Sequence, residues 1–148
     1  ASIETLNGRM EIITRGLSDA SAIVRLAALR ASDRHAPPAA RCNTVFAALN
    51  DPDPDVALSA IDLLGDGCGT EGSAADRLVS FVAELDHGGG AAAPGYPDSW
   101  HRAAHALASL AQTAPDAAAR YLGSFVNHDN WWVRVYAAHA ATVSECKV

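Results

Sequence analysis

The sequence predicts an all-α protein, an α-solenoid of about four antiparallel helix pairs, and three observations lead to this prediction. Hydrophobic residues make up 49% of the chain but aromatic residues only 6%, so alanine supplies much of the apolar filling and favours close helix packing over a β-sandwich. A short motif recurs along the chain, which is typical of repeat architectures. Helix-start signals precede several of these copies, and no segment alternates as a strand would.

The recurring motif is a helix end, a short Asp- or Asn-rich turn and a second helix that starts with an apolar residue. LSDASAIVRLAAL at 17–29 aligns with LNDPDPDVALSAI at 49–61, at an offset of 32 residues. VNHDNWWVRVYAA at 126–138 is a further copy, and DSWHRAAHALASL at 98–110 is a weaker one. One helix pair cannot bury its own apolar face, so neighbouring pairs are expected to stack into a continuous core.

The first two pairs, 1–35 and 36–68, follow from apolar residues at helical spacing. Their four helices are predicted at about 3–16, 22–33, 38–49 and 54–65. Asp53 followed by Pro54 is an N-cap with proline at the first helical position. A cluster of glycines after these helices marks the end of the second pair.

The last two pairs, 73–112 and 113–148, have helices predicted at about 74–86, 99–112, 115–126 and 131–145. Within the third pair, the glycine-rich segment 87–97 is predicted to be a flexible insertion, because long loops in compact repeats are usually functional or mobile. The helix after it carries a predicted apolar stripe of Trp100, Ala103, Ala104, Leu107, Leu110 and Ala111. Its polar residues outside the stripe are His101, Arg102, His105 and Gln112.

Composition and charge exclude several classes of protein. The net charge of −6 argues against a broad nucleic-acid surface, which needs clustered Lys and Arg. No apolar run approaches the roughly 20 residues that span a bilayer, and no export signal stands at the start. These features favour the cytoplasm, although a chain that does not begin with Met could have lost a signal.

Cysteine and histidine usage predicts no metal or cofactor. Cys42, Cys68 and Cys146 are an odd number without CxxC spacing, so thiols are expected rather than a disulfide framework or a zinc site. His101 and His105 lie one helical turn apart, but two ligands do not make a metal site. We therefore expect these histidines on a solvated helix face.

The motif L-x-D-x-x-x-x-V-R-x-x-A-A, at 17–29 and in part at 49–61 and 126–138, resembles the HEAT-repeat family in its short bacterial form. The resemblance covers nearly the whole chain. It implies a helical superhelix that serves mostly as a non-catalytic binding surface. Because no polar capping helix is apparent at the end of the array, we expect the chain to be one module of a longer protein.

The resemblance also implies roles for individual residues. The valine of the motif is a core residue, and Arg25 and Arg134 are expected to bridge to aspartates of the turns, such as Asp19, Asp51 or Asp129. The second copy departs from the pattern because Ala57 stands where the others have arginine.

Two tryptophans at the start of the last helix are additional to the motif. Neighbouring helix residues diverge by about 100°, so we expect either Trp131 or Trp132 to pack against the preceding pair while the other stays partly exposed. Exposed tryptophan beside arginine is typical of protein-recognition sites. The alternative is that both tryptophans cap the hydrophobic core of a terminal repeat, or cover a helix lost by truncation. The side chains expected to meet a partner are Trp131, Trp132, Arg134, His101, Arg102 and Arg25.

These features predict a non-catalytic protein-binding or scaffolding module with an unidentified protein partner. No catalytic motif such as GxSxG, HExxH or a phosphate-binding glycine loop is present, so we do not expect an enzyme. The resemblance leaves two alternatives: a nucleic-acid binder similar to HEAT-like DNA-repair glycosylases, and an accessory domain of a larger enzyme such as a cyclophilin-type prolyl isomerase.

Overall fold

The computed structural model describes residues 3–68, 72–85 and 100–145. Regular structure in these ranges is entirely helical: α1 Ile3–Leu17, α2 Ala22–His35, α3 Pro38–Ala48, α4 Pro54–Leu63, a π-helical segment Leu64–Cys68, α5 Gly72–Ala83, α6 Trp100–Thr113, α7 Pro115–Ala119, α8 Leu122–Val126 and α9 Trp131–Glu145. The all-α prediction is therefore confirmed. The predicted helices are present, except that the seventh is divided into α7 and α8.

The chain divides into two compact units, Ala1–Ala60 and Ile61–Val148, which are described separately. In the first unit, α1 packs on α2, and α2 packs on α3. A Cβ atom added to Gly16 would lie 2.9 Å from the Cβ atom of Ala28. Because real Cβ atoms do not approach so closely, glycine at this position lets α1 and α2 come together. The buried apolar residues of this unit are Ile13, Ala28, Leu29, Val45, Leu49, Val56, Ala57 and Ala60.

The valine of the motif is not buried in every copy. Val56 and Val133 are 2% and 0% exposed, as expected of core residues, but Val24 is 40% exposed. The expectation of a core valine is therefore wrong for the first copy. Ile23 beside it is 80% exposed, so the start of α2 presents apolar surface.

In the second unit, α6 is the central helix. It packs against α5, α7, α9 and the π-helical segment. The predicted stripe is confirmed for Ala103, Ala104, Leu107, Leu110 and Ala111, which are all buried. Burial extends further than predicted, to Ala106, Ala108 and Ser109, because neighbours surround this helix on several sides.

A close backbone approach joins the π-helical segment to α6. A Cβ atom added to Gly65 would lie 2.9 Å from the Cα atom of Ser109. The buried hydroxyl of Ser109 donates a hydrogen bond of 2.9 Å to the carbonyl oxygen of Ile61. Gly65 and Ser109 thus fix the distance between these two segments.

The structure corrects the expectation for two of the cysteines. Cys42 and Cys68 are each disulfide-bonded, and sequence spacing gave no sign of it. Cys146 and the predicted insertion 87–97 lie outside the described residues.

In the described ranges, no helix has the length and apolar character needed to cross a bilayer.

Candidate functional site

Three turns that precede helices share the same local hydrogen bond. The backbone N–H of Ser21 donates to Asp19 Oδ1 (2.8 Å), and the N–H of Asp53 donates to Asp51 Oδ1 (2.9 Å). In the turn before α9, the Asn130 N–H donates to His128 Nδ1 (3.0 Å). The aligned positions of the motif therefore have matching turn geometry.

The helix N-caps after two of these turns also match. Asp53 Oδ1 accepts from the N–H groups of Asp55 (3.0 Å) and Val56 (3.3 Å), which confirms Asp53 as the predicted N-cap. Asn130 Oδ1 accepts from the N–H of Trp132 at 2.9 Å. Side-chain caps satisfy N–H groups that lack partners inside the helix, and here they orient the first residues of α9.

Arg25 and Arg134 hold their own turns in the same way. Nη1 of Arg25 donates to the carbonyl oxygens of Asp19 (2.9 Å) and Ala20 (3.1 Å). Nη1 of Arg134 donates to the carbonyl oxygens of His128 (2.7 Å) and Asp129 (2.8 Å), which lie at the same two sequence separations. Both arginines thus clamp the turn that precedes their helix.

Arg25 also makes an ion pair, and this restricts its use as a contact residue. Its Nε and Nη2 atoms donate to Asp51 Oδ2 (2.8 Å) and Oδ1 (2.7 Å), and only 14% of its side chain is exposed. Hydrogen bonding to Arg25 holds the pKa of Asp51 below its usual range, and the same hydrogen bond raises the pKa of Arg25. The bridge to a turn aspartate is present, but the expected exposure of Arg25 is wrong.

The start of α9 presents a continuous exposed surface, which we call the α9 start surface: Trp131, Trp132, Arg134 and Val135. The two tryptophans are 54% and 47% exposed, and their rings stack with centroids 4.0 Å apart. Both tryptophans stay about half exposed, whereas only one was expected to, and the buried position of this turn is taken by Val133. Val135 lies one helical turn after Trp131 and is 48% exposed.

His101 and Arg102, at the start of α6, have partners within the second unit. The ring of His101 stacks on Trp100 with centroids 3.6 Å apart. Arg102 donates through Nε to Glu84 Oε2 at 2.8 Å, and its guanidinium carbon lies 5.1 Å from the centroid of the Phe81 ring. These contacts anchor α6 to the end of α5.

Sequence reasoning missed a chain of polar groups on α4, α6 and α9. His105 Nδ1 lies 2.7 Å from Asp62 Oδ1, and its Nε2 lies 2.8 Å from the hydroxyl oxygen of Tyr136. Burial, and then the charge of Asp62, raises the pKa of Tyr136, so the phenol stays protonated. The expected solvated face is therefore wrong for His105, whose side chain is 19% exposed.

This chain of polar groups borders a cavity of about 310 Å³ that also contains Asp66, Gln112 and His139. Asp62 is half exposed there, and Asp66 also lines the cavity. The cavity wall therefore offers carboxylate oxygens as hydrogen-bond acceptors. Within the described ranges, no group of three or more His, Cys, Asp or Glu residues is arranged to hold a metal ion. The sequence places His105 outside the apolar stripe of its helix, but it gives no signal for the two partners, Asp62 and Tyr136, which lie 43 and 31 residues away.

Comparison with protein-family models gave no match. Searches against curated proteins and against solved structures gave none either.

Proposed function

We propose that this chain is a non-catalytic protein-binding or scaffolding module of the HEAT-like type, and that the α9 start surface makes the contact. The observation that carries this proposal is the stack of two half-exposed tryptophans. Large apolar side chains that face water in this way mark interaction sites when they lie together. Trp and Arg are also the residues most enriched among those that dominate binding energy.

The fixed geometry of this surface supports binding. The Trp131–Trp132 stack and the clamp of Arg134 on its own turn order these side chains before a partner arrives. An ordered surface loses less conformational entropy on association. The tryptophans are also unnecessary for the core, since Val133 fills the buried position.

The nucleic-acid alternative has weaker support. A protein similar to the HEAT-like glycosylases needs an open basic groove for the phosphate backbone. Arg25 and Arg102 are engaged by Asp51 and Glu84, and the net charge is −6. Exposed indoles can stack on bases, but steep salt dependence comes from phosphate contacts, so tight nucleic-acid binding that weakens steeply with salt would favour this alternative.

The disulfide-bonded state of Cys42 and Cys68 bears on the compartment. Structural disulfides persist in oxidising environments and are rare in the cytosol, so an oxidising compartment is better supported than the cytoplasm. Alkylation of the unreduced protein, followed by peptide mass analysis, tests this. Both cysteines should remain unmodified; alkylation of either in protein from its native source would contradict it.

The test of the proposed function is a comparison of captured partners. Immobilised wild-type protein, Trp131→Ala and Trp132→Ala are incubated with native lysate, and bound proteins are quantified by mass spectrometry. Ile12→Ala is the matched control, because Ile12 is an exposed apolar residue (73%) in the other unit. A partner that is retained by this control and lost by both tryptophan variants supports the proposal. Identical captured proteins in all samples would contradict it.

A further inference from the structure

The Arg25–Asp51 pair shows how an arginine of this motif engages a second turn. Arg25 uses Nη1 for its own turn and presents Nε and Nη2 to both carboxylate oxygens of Asp51. Asp51 Oδ1 simultaneously accepts the N–H of Asp53. Bidentate arginine–carboxylate pairs are directional and strong. This pair therefore joins the turn before α2 to the turn before α4 in a specific geometry.

Arg134 repeats the first half of this arrangement. Its Nη1 holds its own turn as Arg25 does, and its side chain is exposed. In the part of the chain that the structure describes, no carboxylate lies within 4.0 Å of its guanidinium group. Arg25 binds Asp51 through Nε and Nη2. The same two atoms of Arg134 are therefore available to bind a carboxylate.

Asp19 repeats the second half. Its Oδ1 accepts the N–H of Ser21 just as Asp51 accepts that of Asp53, and its side chain is exposed. Apolar surface lies beside it, since Ile23 and Val24 are 80% and 40% exposed. Val56, the residue equivalent to Val24, follows the Asp51 turn that Arg25 already binds, and it is only 2% exposed. The exposed apolar surface thus lies beside the turn whose aspartate carboxylate pairs with no arginine of the described ranges.

We propose that the α9 start surface binds the Asp19 turn of a second copy of this chain. Arg134 of one copy would form a bidentate pair with Asp19 of the next, while Trp131 and Trp132 cover Ile23 and Val24. The two faces differ, so each copy can bind one neighbour through each face, and a head-to-tail contact that does not close grows into chains. This inference rests on the proposed function, because it names the partner of the same surface.

Sedimentation velocity of the purified protein over a hundredfold concentration range tests the inference. Wild-type protein should form species larger than a dimer as concentration rises. Arg134→Gln and Asp19→Asn should each weaken self-association at least tenfold. The asparagine keeps an acceptor for the Ser21 N–H, and circular dichroism confirms that each variant is folded. Arg120→Gln, at another exposed arginine, should associate as wild type does.

Mixing the two variants gives the most specific result. An equimolar mixture has one intact Arg134 face and one intact Asp19 face, so it should form a 1:1 dimer that does not grow. A wild-type protein that stays monomeric throughout, or variants that associate normally, would overturn the inference. If a lysate partner still depends on the tryptophans while the pure protein is monomeric, the proposed function stands and self-recognition alone is rejected.

Discussion

The guanidinium group of Arg25 binds both carboxylate oxygens of Asp51 at 2.8 and 2.7 Å, across 26 residues of sequence. Arg25 meanwhile holds two carbonyl oxygens of its own turn. A single side chain thus connects two successive turns of the recurring motif. In the second copy Ala57 replaces the arginine and is itself buried, so this connection is not made by every copy.

The Arg25–Asp51 pair should make stability depend on pH in a defined direction. Asp51 has a lowered pKa in the folded protein, whereas an unfolded aspartate titrates at about 3.9. The stabilisation is therefore complete above the unfolded pKa and is lost as pH falls through the folded pKa. Asp51→Asn should be less stable than wild type at neutral pH, and the difference should shrink below about pH 4. Urea unfolding at several pH values measures it. A difference that grows in acid would contradict the assignment.

Close packing at Gly65 predicts a strong effect from one methyl group. Gly65→Ala should destabilise the protein by about 1–3 kcal/mol, as overpacking does, because the new Cβ meets the backbone of Ser109 at 2.9 Å. Gly123→Ala is the matched control, since a Cβ there has no neighbour within 4 Å and alanine favours a helix. Chemical denaturation compares the two variants. Equal effects would show that α6 does not approach the π-helical segment this closely.

Equivalent valines should contribute unequally to stability. Val56→Ala should cost about 1.5–3 kcal/mol of unfolding free energy, because it removes two buried carbon atoms worth about 0.8 kcal/mol each and leaves a cavity at a position that is 2% exposed. Val24→Ala should cost less than half of this amount, because Val24 is 40% exposed. Both are measured at low protein concentration, so that self-association does not cover Val24. Equal costs would contradict the difference in burial.

The Asp62–His105–Tyr136 chain predicts a change in the pKa of the phenol. Asp62→Asn removes the negative charge that helps to raise the pKa of Tyr136, and it leaves an acceptor for His105. The pKa should fall towards the ordinary tyrosine value of about 10 but remain above it, because burial is the larger cause. NMR titration of ¹³Cζ-labelled tyrosine follows this group. A rise, or no change, would show that Asp62 does not act on Tyr136.

Local features of the structure could be predicted from the sequence. Helix periodicity placed α1 to α6 and α9 close to their observed bounds, and the Asp53–Pro54 signal identified a true N-cap. Such signals depend on neighbouring residues, so they survive without knowledge of the tertiary structure. The expected bridge from Arg134 to a turn aspartate is not formed within the described residues; Arg134 binds the carbonyl oxygens of His128 and Asp129 instead.

Features that depend on distant residues could not be predicted. Val24 has the same local motif as Val56, but its burial depends on what packs beside it. His105 gains Asp62 and Tyr136 only through tertiary packing, and the disulfide-bonded state of Cys42 and Cys68 has no spacing signal. The tryptophan pair was recognised as additional to the motif, but the ring stack that exposes both indoles required the structure.

The claim that Trp131 and Trp132 serve binding rather than folding is tested most directly by one double variant. Trp131→Ala/Trp132→Ala is compared with wild type for unfolding free energy and for affinity towards the partner recovered by capture. We expect the double variant to lose less unfolding free energy than the roughly 3–5 kcal/mol typical of truncating a single buried tryptophan, and the affinity to fall at least tenfold. A loss of several kcal/mol with unchanged affinity would contradict the account and make the tryptophans structural.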